Sequence, residues 1–368
     1  MLKNSLRLLL CFYFVYGGAS LAEASEIMWN GFASVYARES LTTNPRDSST
    51  DDKGINFDND TKVGLNMSSH FAKDWTAVGQ IVASRRSITP ANVAATWSPE
   101  FDWFFLNYDD PTTGLSMKVG RQLYPFSLTA EYVDVGLAYP WRELPEQFRT
   151  AVFFKSFEGL SLAYQKTIGE SQFVARLFGG DARSGQPDQS NNAYNGYQIN
   201  NLEGAVVSLE AEGWKLHATY SQFRIVITSP NFQTPPTPST LVGSEFGSMN
   251  HNVTIGGTYD RHNIMGYLEY TLNCNTAFPD CLVKAYYGTL GYHLGAFLPH
   301  YTFALGDWDI PGEFNGRETS HGFGLNYQLD PAIVLKAEYL RQQDTGTAIF
   351  LTNVGWADSV ALGLNVVF

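Results

Sequence analysis

Along most of the chain, apolar and polar residues alternate one by one. In the last segment Val360, Leu362, Leu364, Val366 and Phe368 share one parity, and Ser359, Ala361, Gly363, Asn365 and Val367 share the other. Successive side chains leave a β-strand on opposite sides, so a period of two marks a strand with unlike faces. The rhythm recurs upstream. Ile333, Leu335, Ala337 and Tyr339 alternate with Lys336 and Glu338; Phe323, Leu325 and Tyr327 alternate with Gly324 and Asn326. Ile264, Leu268, Tyr270 and Leu272 alternate with Glu269 and Thr271; Trp214, Leu216 and Tyr220 alternate with Lys215, His217 and Thr219. Val63, Leu65 and Met67 alternate with Lys62, Asn66 and Ser68. The pattern predicts an all-β, antiparallel chain.

The connections are ordered too. Tight turns are expected at Lys73-Asp74, 110–114, 168–170, Glu212-Gly213, 260–263, Leu294-Gly295 and Asp330-Pro331. Long connections are expected at 42–57, 88–100, 123–150, 180–201, 228–250, 274–282, 306–318 and 342–357. Alternated, these seven turns and eight loops join about 16 strands, with fourteen or eighteen left open by the uncertain boundaries. A soluble sandwich has no need of such sidedness. A membrane barrel does: turns lie on one side, loops on the other, and closure removes the unpaired edge that lipid would penalise. Aromatic residues near strand ends (Trp29, Tyr36, Phe71, Trp75, Phe101, Tyr259, Tyr327, Tyr339, Phe368) suit interfacial girdles. The predicted fold is therefore a transmembrane antiparallel β-barrel.

Composition narrows the field. Of 368 residues, 14% are aromatic and only 16% charged, against about 25% charged in an ordinary soluble domain. The net charge of −12 argues against nucleic acid, which demands clustered cations. Mean hydropathy is −0.17, and after residue 22 no apolar run approaches the ~20 residues of a spanning helix. At the start, Lys3 and Arg7 precede an apolar stretch from Leu8 to Tyr16 and an Ala22-Glu23-Ala24 site, which reads as a signal peptide over 1–24. The mature barrel domain is then 25–368. Cys274 and Cys281 enclose a short loop-like sequence and, in an exported chain, are expected to form a local disulfide. The seven histidines show no close metal-ligand spacing, and neither a cofactor nor a catalytic cluster is indicated.

With these features together, the sequence resembles the outer-membrane porins of Gram-negative bacteria, in layout the sixteen-stranded, usually trimeric type. The terminal pattern Leu362, Leu364, Val366, Phe368 is similar to the signal read by the outer-membrane assembly machinery. The Pro-Glu-Phe-Gly-Gly sequence of enteric porin third loops is absent. The resemblance implies a homotrimer in contact with outer-membrane lipid and lipopolysaccharide, passing small hydrophilic solutes by passive diffusion.

The same resemblance implies that the third long loop, 123–150, folds into the lumen and narrows it. Glu131, Asp134, Glu143 and Glu146 are the expected acidic side of that constriction. Facing them would be Arg38, Lys62, Arg86, Lys118, Arg176 and Lys336, since a cation on the lipid face costs ~2–4 kcal/mol at mid-bilayer. Arg121 is placed with this basic set, or else anchors the loop. Opposed charges across a watery neck would set ion preference. Two other functions fit the same layout: a channel selective for sugars or carboxylates, and an adhesin or receptor barrel acting through loops such as 232–241.

Overall fold

The computed structural model describes residues 27–42, 54–57, 60–86, 96–152, 154–188, 193–228, 249–276, 281–310, 314–348, 351–352 and 355–368. The expected signal peptide, the side chain of Arg86 and the segment 232–241 lie outside the described residues. The strands are β1 (Ile27–Ser40), β2 (Lys62–Ala72), β3 (Trp75–Arg86), β4 (Thr96–Asp110), β5 (Leu115–Leu123), β6 (Ser156–Ile168), β7 (Ser171–Asp188), β8 (Ala193–Ala211) and β9 (Trp214–Thr228). They continue as β10 (Met249–Arg261), β11 (Ile264–Asn275), β12 (Cys281–Tyr292), β13 (Phe297–Ile310), β14 (Phe314–Asp330), β15 (Ile333–Ala348), β16 (Leu351–Thr352) and β17 (Ala357–Val367). The two-residue β16 pairs only with the end of β15. The other strands make the wall, a closed barrel of 16.

Each wall strand pairs antiparallel with its chain neighbours, and β1 closes the ring on β17 in the register Phe32↔Val367 to Ser40↔Ser359. The last residue takes part: Phe368 N donates to Gly31 O at 2.9 Å and Gly31 N to Phe368 O at 2.7 Å. Closure satisfies the edge groups that an open sheet would leave unpaired. The seven tight turns fall where the alternation puts them. At the β10–β11 turn His262 and Asn263 both adopt positive φ (54° and 63°), the twist that matches a two-residue hairpin to its strands.

Three expected long connections are corrected. β7 and β8 run on to Asp188 and from Ala193, β13 and β14 nearly meet, and β15 continues to Ala348. The outer ends of β7 (181–188) and β15 (341–347) are polar or small on both faces, so the periodic signal fades there while the strand ladder persists. The third connection is also longer than expected, because β6 begins only at Ser156.

The two faces separate as the alternation requires. Leu362 is 66% exposed, whereas Asn365 on the opposite parity is 1% exposed. Leu65, Leu106, Leu162, Leu177, Leu268 and Leu325 continue the exposed apolar belt. Ser34, Lys62, Thr219, Asn252, Glu269 and Lys336 are buried on the inner parity. At one rim Trp75 packs between Phe71 (6.4 Å) and Tyr108 (5.2 Å). Tyr36 departs from its expected place in a girdle: its ring is buried inward over Gly363, and its hydroxyl accepts from Asn365 Nδ2 at 3.0 Å. Parity decides here, since Tyr36 shares its face with Ser34.

Candidate functional site

The segment 124–155, between β5 and β6, is rich in proline and aromatic residues and folds as turns. It contains 3₁₀ turns at Ala130–Tyr132 and Gly136–Ala138 and one helical turn, α1 (Glu146–Arg149), entered through Pro145. Its polar groups are met by inward side chains of distant strands. Lys336 Nζ on β15 donates to the carbonyls of Gly136 (2.5 Å), Tyr139 (2.6 Å) and Trp141 (2.6 Å). Trp141 Nε1 reaches Thr289 on β12 (2.8 Å) and Thr302 on β13 (2.9 Å). Ser320 on β14 donates to Gln147, Asn273 on β11 to the Ala151 carbonyl, and Thr219 on β9 to the Pro125 carbonyl. Glu269 on β11 accepts from Leu128 N (2.8 Å) and Tyr287 OH (2.5 Å). Buried backbone groups must find such partners, so these contacts fix the path of the segment.

Apolar packing reinforces them. Phe148 is fully buried, with its ring edge-on to Tyr287 at 5.1 Å, and Trp141 meets the same tyrosine at 5.2 Å. Near the roots of the segment, Tyr124 stacks on Phe154 at 4.4 Å within a cluster that includes Phe157, Phe178, Leu202 and Phe223 from β6 to β9.

The ionic groups form direct pairs. Asp134 contacts Lys155, lies 3.6 Å from Lys62 on β2, and accepts from Gln80 on β3 at 3.5 Å. Lys155 also binds Asp102 on β4 at 2.7 Å. Burial pushes the Asp134 carboxyl up, but Lys155 and Lys62 outweigh it and hold the group below the usual carboxylate range. Arg142 contacts Asp60 in the first loop, and its backbone N–H reaches Glu338 on β15 at 3.1 Å. Glu131 pairs with Arg176 on β7 at 2.7 Å. Burial raises the Glu131 carboxyl, yet Arg176 and Lys118 bring it down to about 2. Glu143 lies 4.0 Å from Arg149 within the segment itself.

No family model matches the chain, and no curated relative does. Solved structures do match. The anion-selective porin from Comamonas acidovorans is 12% identical with a TM-score of 0.59, over 94% of this chain and 100% of that one. The outer membrane channel DcaP of Acinetobacter baumannii is 11% identical with a TM-score of 0.57, over 94% and 97%. The trimer form of the outer membrane protein OmpT of Vibrio cholerae is 10% identical with a TM-score of 0.55, over 94% and 100%. This is the sixteen-stranded porin fold.

Within the porin barrel the expected site residues divide. Glu131 and Asp134 meet barrel-wall cations, Arg176 and Lys62, as opposed partners; they touch them directly instead of facing them across water. Glu143 pairs inside its own segment, and Glu146 opens α1, where its carbonyl accepts from Thr150. Arg38 lies on the inward parity of β1 with Ser34 and Tyr36. Lys118 sits 5.0 Å over the Phe105 ring, and Lys336 holds the segment's backbone. Arg121 is corrected: three residues from Lys118, it points outward by parity and pairs with Glu158 at 3.2 Å. Cys274 and Cys281 form the expected disulfide. Sequence reasoning passed over Asp60, Asp102, Arg142, Lys155, Glu269 and Glu338. The parity rule applied to cations would have found Glu269 and Glu338 as well, because an inward acid obeys the same rule.

Proposed function

We propose that the chain is an outer-membrane porin, a water-filled channel for passive movement of small hydrophilic solutes and ions, with no chemical step and no cofactor. The observation that carries this reading is the division of one closed sheet into an exposed apolar belt and a charged, polar interior. A belt of leucines around a barrel suits lipid, and an interior lined by Lys, Arg, Asp and Glu suits water. The segment 124–155 is the constriction, with Glu131, Asp134, Arg176, Lys62 and Lys336 at its edges. Residues 1–24 direct export, residues 25–368 form one barrel domain, and Leu362, Leu364, Val366 and Phe368 present the closing strand to the assembly machinery. Lipopolysaccharide and lipid surround the belt, and three copies associate, as in the trimer form of OmpT. The direct ion pairing leaves little uncompensated field at the neck, which supports weak charge selectivity over a dedicated anion or cation path.

Reconstitution into planar bilayers tests the reading. Discrete conductance steps in potassium chloride, with a reversal potential near zero in a salt gradient, are expected from the whole chain or from a form with the neck widened. A correctly folded barrel that conducts in neither form rules the channel out.

A further inference from the structure

The outer surface of the barrel changes character along one line. Phe323 on β14, Tyr339 on β15 and Val360 on β17 lie in one cross-strand row on the outward parity, as part of the apolar belt. The next outward row, two residues nearer the long connections, is His321, Arg341 and Asp358. Three strands thus turn from apolar to polar at the same level, which is where hydrocarbon gives way to headgroups. Trp356, just ahead of β17, lies against this polar row. Its ring is 5.7 Å from that of His321, and the Arg341 guanidinium sits 5.0 Å over it. Phe303 and Tyr301 on β13 flank His321 at 5.3 and 6.2 Å. The hydrogen bonds of the row are incomplete. Arg121 and Arg317, also outward, donate to Glu158 and Asp307 at 3.2 and 2.6 Å. The five N–H groups of Arg341 reach no acceptor among the described residues. Asp358 is 3.9 Å away, beyond hydrogen-bond length, and its carboxylate is engaged by the Tyr339 hydroxyl at 2.6 Å. His321 meets the Tyr301 hydroxyl through Nδ1 at 2.7 Å, and its Nε2 has no hydrogen-bond partner among the described residues. A guanidinium with its fork unspent, held over an indole, matches a phosphate through two parallel bonds. The aromatic rings beside it suit the apolar face of a sugar.

We propose that Arg341, Trp356 and His321 form an outward binding site for a phosphorylated sugar headgroup, that of a glycolipid in the surrounding leaflet. Arg341 takes the phosphate, Trp356 packs against the sugar ring, and His321 Nε2 donates a further bond. The acyl chains of the same lipid lie along the belt, beginning at Phe323, Tyr339 and Val360. The site goes beyond the channel reading and rests only on the outer-membrane placement within it. It stands on the outside of the wall, so conduction does not depend on it.

The test titrates the detergent-dispersed full chain, its folding checked by heat-dependent migration in gels, and reads bound lipid by native mass spectrometry. The probes are a glucosamine-disaccharide lipid carrying two phosphates, the same lipid with its phosphates removed, and phosphatidylglycerol. Wild type should bind the phosphorylated glycolipid, and Arg341→Gln should bind it at least about tenfold more weakly, as the loss of a charged hydrogen-bonding fork requires. Removal of the phosphates from the lipid should cost wild type a similar factor. Trp356→Leu, and phosphatidylglycerol in place of the glycolipid, each lose the sugar–indole contact and should weaken binding about threefold. Arg317→Gln, whose guanidinium is already spent on Asp307, should stay within about twofold of wild type. Equal binding by Arg341→Gln and wild type would overturn the site. So would an equal loss in Arg317→Gln, which would mean that rim charge in general attracts the lipid, or equal affinity for phosphatidylglycerol, which would mean that no sugar is recognised. A change in the number of associated copies in lipid-free Arg341→Gln would overturn it as well, by making the row a contact between barrels. Conductance in planar bilayers separates this from the channel reading. A wild type that conducts and binds no glycolipid loses the site alone, and one that binds it and never conducts loses the channel alone.

Discussion

At the scale of single residues, charges inside the barrel are pinned by contact with an opposite charge, and each contact has a pH signature. Glu131 is the clearest, because its carboxyl is brought from an ordinary 4.5 to about 2 by Arg176 and Lys118. A carboxyl depressed on folding stabilises the native state fully above its unfolded value and loses that contribution as the pH falls through its folded value. Wild type should thus outlast Glu131→Gln in urea at pH 7. The gap between their unfolding midpoints should close as the pH falls from 4.5 towards 2. A gap unchanged at pH 2 would mean that the pair with Arg176 does not form. Legibility at this scale was uneven. Lys62, Arg176 and Lys336 were readable because strand parity states the face a cation takes. Lys155 and Asp60 were not, because they sit in irregular segments where no period assigns a direction; Asp102 lies 53 residues from Lys155 along the chain, and Arg142 lies 82 from Asp60.

Secondary-structure elements are governed by the pleat and by what fits across it. On β17, the inward Gly363 leaves room for the Tyr36 ring from β1, which in turn reaches Asn365 two residues on. Gly363→Val would place a side chain inside that ring. Such overpacking costs typically ~1–3 kcal/mol, and here it falls at the seam where the barrel closes. The urea midpoint of Gly363→Val should fall well below that of Leu364→Val, which removes one methylene from the neighbouring outward position. Equal midpoints would place Tyr36 elsewhere. The strands themselves were legible wherever a face met an apolar medium, as in β15 and β17. They were lost where hairpins rise beyond the belt, as between β7 and β8, because polar residues on both faces erase the period without breaking the ladder. The segment 124–155 was legible as a long, ordered loop, but its anchors on β9 and β11 to β15 come from the closure of the ring, which brings together positions 94 to 200 residues apart.

For the whole molecule, closure creates an outside and an inside from one alternating pattern, and everything proposed about transport follows from which medium touches each side. The exposed leucines form a belt that water would disfavour by roughly 25 cal/mol per Å², so the barrel is expected to need lipid or detergent to remain dispersed. The measurement that tests this most directly is a nitroxide scan along β17 in reconstituted vesicles, one label at a time from residue 360 to residue 366. Collision rates with oxygen, which concentrates in hydrocarbon, should be high at 360, 362, 364 and 366 and low at 361, 363 and 365. Rates that do not alternate, or that alternate with the opposite parity, would contradict the account.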